Sequence, residues 1–466
     1  MSNKKYGKGL FIFHRDLRIV DNVGLLNAHS QCSQLYTCFI FTPEQIGPSN
    51  TYRSLNAVAF MLECLEELSQ SIRQQGGTLL FLYGDSAKVV KQLLSELQID
   101  AVFFNEDYTP YAVSRDKSIE TVCKASNIET VSMADYYLQR PGSIYSAASR
   151  TAYKKFTPFY DAVVSKSVEK PARNVDLKQL VSVRPNRISS HVSLDTMRKK
   201  IGFSKGDNGR VVVGGRSNGV RVLLNAVKTQ AHYEKTRDYV ALPTSKLSAH
   251  IKFGTVSIRE VYHAFSAKYS GRCEFIRQLY WRDFFAHLLF AYPESIRGAN
   301  YTDVRWATSK KWVDLWKSGR TGFPIIDAGM RELDQTGYMH NRCRLIVANF
   351  FVKTLGLDWR IGEKHFATHL TDYDVASNNG NWQNISSTGV YNQPYFRDVN
   401  PWIQGKKLDA DCEYIKRWVP ELVNVENRVI HNWFDLYDRP ENKGIYLKPM
   451  VDYGEQKAEV LEMYKK

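Results

Sequence analysis

Short apolar runs of strand length punctuate the first hundred residues: GLFIF (9–13), LYTCFIF (35–41), TLLFLY (78–83) and AVFFN (101–105). They are rich in β-branched and aromatic side chains, and they are continuous rather than alternating, as expected of strands buried on both faces. Between them the period lengthens. From Arg53 to Gln75, Leu55, Val58, Ala59, Leu62, Leu65 and Leu68 recur at three and four spacing and Gly76-Gly77 closes the run. Ser86 is the expected N-cap of a further helix, Ala87 to Leu97. Strand and helix in alternation predict a parallel sheet flanked by helices, a Rossmann-like α/β domain over residues 1–130.

From 131 to 230 the pattern weakens into a connecting region rich in Ser, Lys, Arg and Gly. Within it, residues 198, 199, 200, 205, 210, 216, 221 and 228 are Lys or Arg, set against the single acid Asp207, and the turns GDNG and GGRSNG break the chain. Aromatics are scarce there, so a solvated linker is expected rather than a nucleic-acid contact. After Tyr233 helical periodicity returns, in Ser257 to Tyr269, Cys273 to Phe290, Pro324 to Gln335 and His340 to Leu355, without a convincing strand. Residues 231–466 are therefore expected to form an all-α domain. One stretch inside it stands out. TDYDVASNNGNWQN (371–384) combines two aspartates, several asparagines and one tryptophan, which reads as too polar and loop-prone for a core helix and as a segment that binds something.

Composition narrows the class. A chain of 466 residues, 43% hydrophobic and 24% charged, can bury a substantial core. No apolar run approaches the roughly 20 residues of a membrane helix, and the opening MSNKKYGKGLFIF lacks the apolar centre of a secretory signal. An intracellular protein, cytoplasmic or nuclear, with no membrane partner is expected. The seven cysteines form no C-x-x-C pair, so neither a disulfide framework nor a metal site is expected. The charge is more telling: 63 Lys+Arg against 48 Asp+Glu leaves +15, and such an excess attracts polyanions. Aromatic content of 13% adds the means to stack on bases.

HRDLR (14–18) follows the first strand, where strand carboxyl ends in an open sheet face a ligand crevice. Neither G-x-G-x-x-G nor a Walker A sequence is present, which argues against an ordinary dinucleotide or P-loop site and leaves a structural or ligand-binding role open. All nine tryptophans, at 281, 306, 312, 316, 359, 382, 402, 418 and 433, fall in the second half. Packing accounts for any one of them. Their concentration calls for a further reason.

Several long motifs in series make the pattern specific. YEKTRDYVALPTSKLSAHIKFGTVS (233–257), RQLYWRDFFAHL (277–288), GRTGFPIIDAGMREL (319–333), GYMHNRCR (337–344), DYDVASNNGNWQ (372–383) and YFRDVNPWIQGKKLD (395–409) resemble the flavin-binding half of the photolyase/cryptochrome family, most closely class I-type cyclobutane pyrimidine dimer photolyases. FHRDLRIVDN (13–22), EDYTPYAVSRD (106–116) and KFTPF (155–159) resemble its antenna-domain and linker signatures in the same order. The resemblance implies an α-helical FAD-binding domain over 231–466 behind the α/β antenna domain. Tyr233 and Thr244, Ser245, Lys246, Leu247 and Ser248 would bind the cofactor, the TSKLS segment around its phosphates. Arg344 would pair with Asp372 beside the ring, Asp374 would face its polar edge, and Asn378 would face N5. Trp382, Trp359 and Trp306 match the electron-transfer triad that feeds the flavin from the surface.

The implied reaction is light-driven splitting of a cyclobutane pyrimidine dimer by electron transfer from excited reduced FAD to a lesion flipped out of UV-damaged DNA. Trp281 would stack on the lesion, Gln278 and Asn341 would bond it, and Arg237, Arg342, Arg397 and Gln404 would hold the strand. A monomer is expected. Three positions depart from bacterial enzymes of this kind: Gln278 replaces Glu, Leu345 replaces Met and Asn384 replaces a second Trp. Gln278 matches (6-4) photolyases, but that repair needs a histidine donor where this chain has Asn341 and Leu345. His340 reads as a structural helix residue. Thr109 stands where folate-binding relatives have Glu, so a second, antenna chromophore is left without an identity. Two functions remain: a DNA-repair lyase, and a blue-light photoreceptor that binds FAD and signals through partners.

Overall fold

The computed structural model describes residues 4–202, 209–297, 304–391 and 396–465. Lys205 and Asp207 of the basic stretch and Tyr395 of the YFRDVNPW motif lie outside them. The chain falls into two compact units that do not follow chain order. The first comprises residues 1–206, 212–229 and 246–293, the second residues 207–211, 230–245 and 294–466.

The first unit is built on a five-stranded parallel sheet of order β3-β2-β1-β4-β5. The strands are β1 (Tyr6–Phe13), β2 (Cys32–Phe41), β3 (Leu79–Tyr83), β4 (Ala101–Asn105) and β5 (Glu129–Met133). Side chains alternate between two apolar layers: Phe11, Phe13, Phe39, Phe41 and Phe103 face one, and Leu10, Ile12, Cys38, Ile40 and Phe104 the other. The helix Leu55–Gln74 buries Val58, Leu62, Leu65 and Leu68 on the first layer, and Ser86–Leu97 buries Val90, Leu93 and Leu94 on the second. β5 has no apolar run because it is a half-exposed edge strand, ETVSM. The cap of the Ser86 helix is Asp85, whose carboxylate accepts from Lys88 N at 2.9 Å; Ser86 is the first helical residue.

HRDLR is folded into buried polar structure. Arg18, 2% exposed, donates to Asp135 Oδ2 at 2.6 Å, and Arg259 donates to Asp135 Oδ1 at 2.7 Å and Asp21 Oδ2 at 3.0 Å. Burial opposes ionisation of Asp135, and the two guanidiniums overcome it, holding the carboxyl below its ordinary range. The basic stretch is likewise more ordered than a linker. It contributes helices Leu194–Ile201 and Arg216–Thr229, and Arg198 and Arg216 are spent on Glu66 and Glu260 at 2.8 and 2.6 Å.

The second unit is helical. Its core gathers Trp316, Phe350, Phe351, Trp359, Phe366, Trp382 and Trp433. The largest departure from expectation is at 371–384. Residues Val375–Ser386 form an α-helix, not a loop, and bury Ala376, Asn379, Trp382, Gln383 and Ser386. Asp374 caps it by accepting from Ser377 N at 3.0 Å. Its polar side chains are not stranded: Asn379 Nδ2 donates to Ile296 O at 3.2 Å and Gln383 Nε2 to Ser295 O at 2.8 Å. Amide side chains that find backbone partners tolerate burial at helical positions, which a polarity pattern does not reveal.

Candidate functional site

The helix Asn341–Asn349 and the helix Val375–Ser386 with its leading loop bring the expected polar residues of the second unit together. Arg344 Nη2 donates to Asp372 Oδ2 at 2.9 Å and its Nε to Met339 O at 2.9 Å. Burial disfavours the guanidinium charge, and Asp372 more than offsets that, so Arg344 stays a fixed cation. Arg344 also lies 5.8 Å from the centroid of the Tyr338 ring, and the Tyr338 hydroxyl is 2.7 Å from Thr244 Oγ1. Thr244, Tyr338, Arg344 and Asp372 thus form one contiguous polar chain.

Asn378 is oriented by a carboxylate. Its Nδ2 donates to Glu363 Oε1 at 3.1 Å and Glu363 O at 3.3 Å, and the Tyr373 hydroxyl donates to the same Oε1 at 3.2 Å. Both partners of Nδ2 are acceptors, which settles the amide orientation and leaves Oδ1 as the atom presented outward from the pair. Glu363 is 2% exposed, on the helix Trp359–His369. It occupies a place in the buried stripe of Trp359, Gly362, Phe366 and Ala367, and an acid at such a place is the signal by which sequence reasoning would find it. Glu363 is a functional candidate outside every quoted motif, while Tyr338 and Tyr373 lie within GYMHNRCR and DYDVASNNGNWQ but were given no role there. His340 is structural: its Nδ1 accepts from Arg342 N at 3.1 Å, capping the Asn341 helix, and burial lowers it to about 4.

The three tryptophans occupy different environments. Trp382 is 2% exposed and packs edge-to-face on Phe366 at 5.1 Å, with Phe351 and Trp316 each at 6.2 Å. Trp359 is 1% exposed and its indole N–H has no hydrogen-bond partner among the described residues. Trp306 is half-buried, with its ring edge-on to Tyr464 at 6.1 Å.

Of TSKLS, Thr244 and Ser245 belong to the second unit and Lys246, Leu247 and Ser248 to the first. Lys246 takes a left-handed conformation (φ 53°), and the next helix, Ser248–Lys252, starts from Leu247 without a side-chain cap, so Thr244 and Ser245 are not an N-cap. In the first unit Trp281 lies flat on Phe156 of KFTPF, centroids 3.6 Å apart at 6°, and Gln278 Nε2 donates to Glu274 Oε1 at 2.7 Å. In the second unit Arg342 is ion-paired with Asp238, its Nε 3.2 Å from Oδ1. Asn341 and Arg397 are exposed; Tyr233, Arg237 and Gln404 are half-buried.

Residues 10–176 match the family described as DNA photolyase, and residues 275–466 match the FAD binding domain of DNA photolyase. A deoxyribodipyrimidine photo-lyase of Synechococcus sp. is 36% identical over 89% of this chain and 88% of its own. An archaeal photolyase of Sulfolobus tokodaii, solved with two FAD molecules, is 38% identical with a TM-score of 0.86 over 98% of this chain and 99% of its own. A Synechocystis cryptochrome is 25% identical with a TM-score of 0.87 over 99% of this chain and 100% of its own. Identity of this extent along both halves, together with the polar chain around Arg344 and Asp372, places the protein: it belongs to the DNA photolyase family and carries that family's FAD-binding domain.

Proposed function

We propose that this chain is a light-driven DNA-repair enzyme, a deoxyribodipyrimidine photo-lyase that splits cyclobutane pyrimidine dimers. The observation that carries the reading is the fixing of Asn378 by the buried carboxylate of Glu363. It leaves Asn378 Oδ1 as a neutral acceptor, and a neutral acceptor suits the N–H of a reduced flavin ring without offering it a proton. FAD, when bound, supplies light absorption and one-electron exchange with the lesion.

The chain's own residues do the rest. In the second unit Thr244, Ser245, Tyr233, Arg344, Asp372 and Asp374 hold the cofactor, Arg344 as a cation that cannot deprotonate. Lys246, Leu247 and Ser248 offer backbone N–H groups and one positive charge to the cofactor's phosphates. The hole left on Trp382 is refilled from Trp359 and then Trp306. The two inner indoles are buried, and Trp359 has no acceptor for its proton among the described residues, which favours passing the hole onward to half-buried Trp306. Trp281, stiffened by Phe156, offers a flat platform to an extruded base. Gln278, Asn341, Arg237, Arg342, Arg397 and Gln404 serve the DNA; Arg342 does so at the expense of its pair with Asp238. Arg15 meets Asp107 at 2.9 Å at the carboxyl ends of β1 and β4, where the strand order reverses, and that end of such a sheet is the place that suits a second chromophore.

The test is to illuminate the reduced protein with DNA carrying a cyclobutane dimer and, separately, a (6-4) product. Restoration of the first alone is expected. Failure with both, in single and double strands, would sink the enzyme reading and promote the photoreceptor, which the likeness to a cryptochrome keeps as the second reading.

A further inference from the structure

The second unit carries a buried lysine that the proposed repair chemistry does not use. Residues Phe350–Thr354 form a π-helical turn, a local widening of the helix that is frequent at functional sites. The turn directs Lys353 inward, where it is 0% exposed. Its Nζ lies 3.5 Å from the centroid of the Tyr464 ring and 4.7 Å from that of Phe396. It donates to Ser387 Oγ at 3.1 Å and approaches Ser386 O at 3.4 Å, the carbonyl that also accepts from the Tyr464 hydroxyl at 3.0 Å. Trp306, the outer member of the proposed tryptophan chain, is packed edge-on against the same Tyr464 ring at 6.1 Å.

The charge around this amine is unusually bare. Among the described residues no carboxylate stands within ion-pair distance of it. On the segment bearing Phe396, Asp398 is committed to Tyr453 and Lys457 at 2.5 and 2.8 Å. On the C-terminal helix Tyr453–Met463 and the residues after it, Glu462 is paired with Lys465. Ser386 and Ser387, at the end of Val375–Ser386, bring no charge. Tyr464 is the titratable group in contact, and burial raises its hydroxyl well above the ordinary value, so it stays neutral. An ammonium in this place has aromatic faces and two weak acceptors in exchange for its water.

We propose that Lys353 is a control residue for the outer end of the tryptophan chain: as a cation it disfavours a hole on Trp306, and as a neutral amine it permits one. This rests on the reading of Trp382, Trp359 and Trp306 as the route of electron supply. The electron that leaves Trp382 is replaced from Trp359 and then from Trp306, and a one-electron reductant in solution refills Trp306, so that one electron enters for each that leaves. Lys353 neither gains nor loses an electron. It acts by charge at a Trp306 ring that lies within about 10 Å, and a unit charge at that distance changes an equilibrium by about tenfold at protein-like screening. Burial lowers the Lys353 ammonium to about 7, so the two charge states exchange across neutral pH.

The experiment uses the full chain with FAD bound and ferrocyanide, whose potential is independent of pH, as reductant. Light-driven flavin reduction is measured from pH 6 to pH 8.5 in the wild type, Lys353→Met, Lys353→Arg and Trp306→Phe. Methionine keeps the length of the lysine stem and removes the charge; arginine keeps the charge at every pH. The wild type should gain about tenfold in yield on passing through neutrality. Lys353→Met should be flat and high, and Lys353→Arg flat and low. An independent readout needs no light: the 13Cε resonance of Lys353, assigned by its absence from Lys353→Met, should titrate near neutrality. A resonance that titrates above pH 9, or a pH step that survives in Lys353→Met, overturns the proposal. The two layers separate cleanly. If Trp306→Phe is inert while Lys353→Met keeps the wild-type step, this proposal alone falls; if Trp306→Phe is reduced like the wild type, the tryptophan route falls and takes the proposal with it.

Discussion

Gly362→Ala tests how tightly Trp382 is held. Gly362 lies inside the helix Trp359–His369, and a Cβ there would stand 2.2 Å from Cη2, 2.6 Å from Cζ3 and 3.0 Å from Cζ2 of Trp382. Carbon atoms rest at roughly 3.5 Å, so the indole must move by about 1 Å. It has little room: the ring is 2% exposed and bounded by Phe366, Phe351 and Trp316. Overpacking of this kind costs about 1–3 kcal/mol. Alanine in place of glycine inside a helix returns up to about 1 kcal/mol, so the net loss should be about 0–3 kcal/mol.

The two opposing effects are separated by repeating the change in Trp382→Phe. All three atoms that the new Cβ meets lie on the benzo ring of the indole, which phenylalanine lacks. In that background Gly362→Ala should be neutral or stabilising by up to about 1 kcal/mol. The coupling energy between the two positions is then about 1–3 kcal/mol, read from urea denaturation of the four proteins by far-UV circular dichroism. Equal effects of Gly362→Ala in both backgrounds would refute the packing argument. Light-driven reduction of bound FAD gives a second reading, since Gly362→Ala should lower its yield and Trp382→Phe should abolish it.

Asp135→Asn strips the buried Arg18 and Arg259 of their shared carboxylate and should cost about 3–5 kcal/mol in urea denaturation. The folded carboxyl sits below its ordinary value, so its contribution is present above that value and lost as pH falls through the folded one; wild type and variant should converge below about pH 4. Asp283 behaves in the opposite sense: burial pushes it up to about 7, so the stability it gives is complete below its ordinary value and lost as pH rises toward 7. Asp283→Asn, compared with wild type by thermal denaturation, should therefore gain relative stability at pH 8 over pH 5. Glu363→Ala removes the carboxylate that accepts from Asn378 Nδ2 and leaves only the backbone carbonyl, so the amide is held less firmly; reduced FAD in the variant should reoxidise faster in air, and an unchanged rate would show that Glu363 does not act through Asn378.

The sheet was legible because four of its five strands are largely buried on both faces and so read as continuous apolar runs. AVFFN is a strand from end to end, whereas ETVSM, half-exposed at the edge, carries no such mark. The helices of the second half were legible by their period, and the paired residues Arg344 and Asp372 by motif. Partners were not. Asp135 and Arg259 are far from Arg18 in the chain, and nothing in HRDLR announces that Arg18 will be sealed between them and Gly254 O. The same holds for Arg198 and Arg216, which look like linker charges until Glu66 and Glu260 are found opposite them.

The stretch 371–384 carries the same limit into the site. Its polarity suggests a loop because exposed asparagines favour turns, but the physical question is whether each amide has a partner, and here distant backbone supplies one. The consequence reaches the chemistry. A loop would let Asn378 sample both amide orientations; a capped helix, with Glu363 accepting from Nδ2, holds one. An acceptor held in place needs no reorganisation when a cofactor arrives, and preorganisation of that kind is the larger part of what a protein adds to a reactive group it binds. The polar helix is thus the means by which a flexible side chain becomes a fixed one, and its rigidity, rather than its polarity alone, suits it to face a flavin.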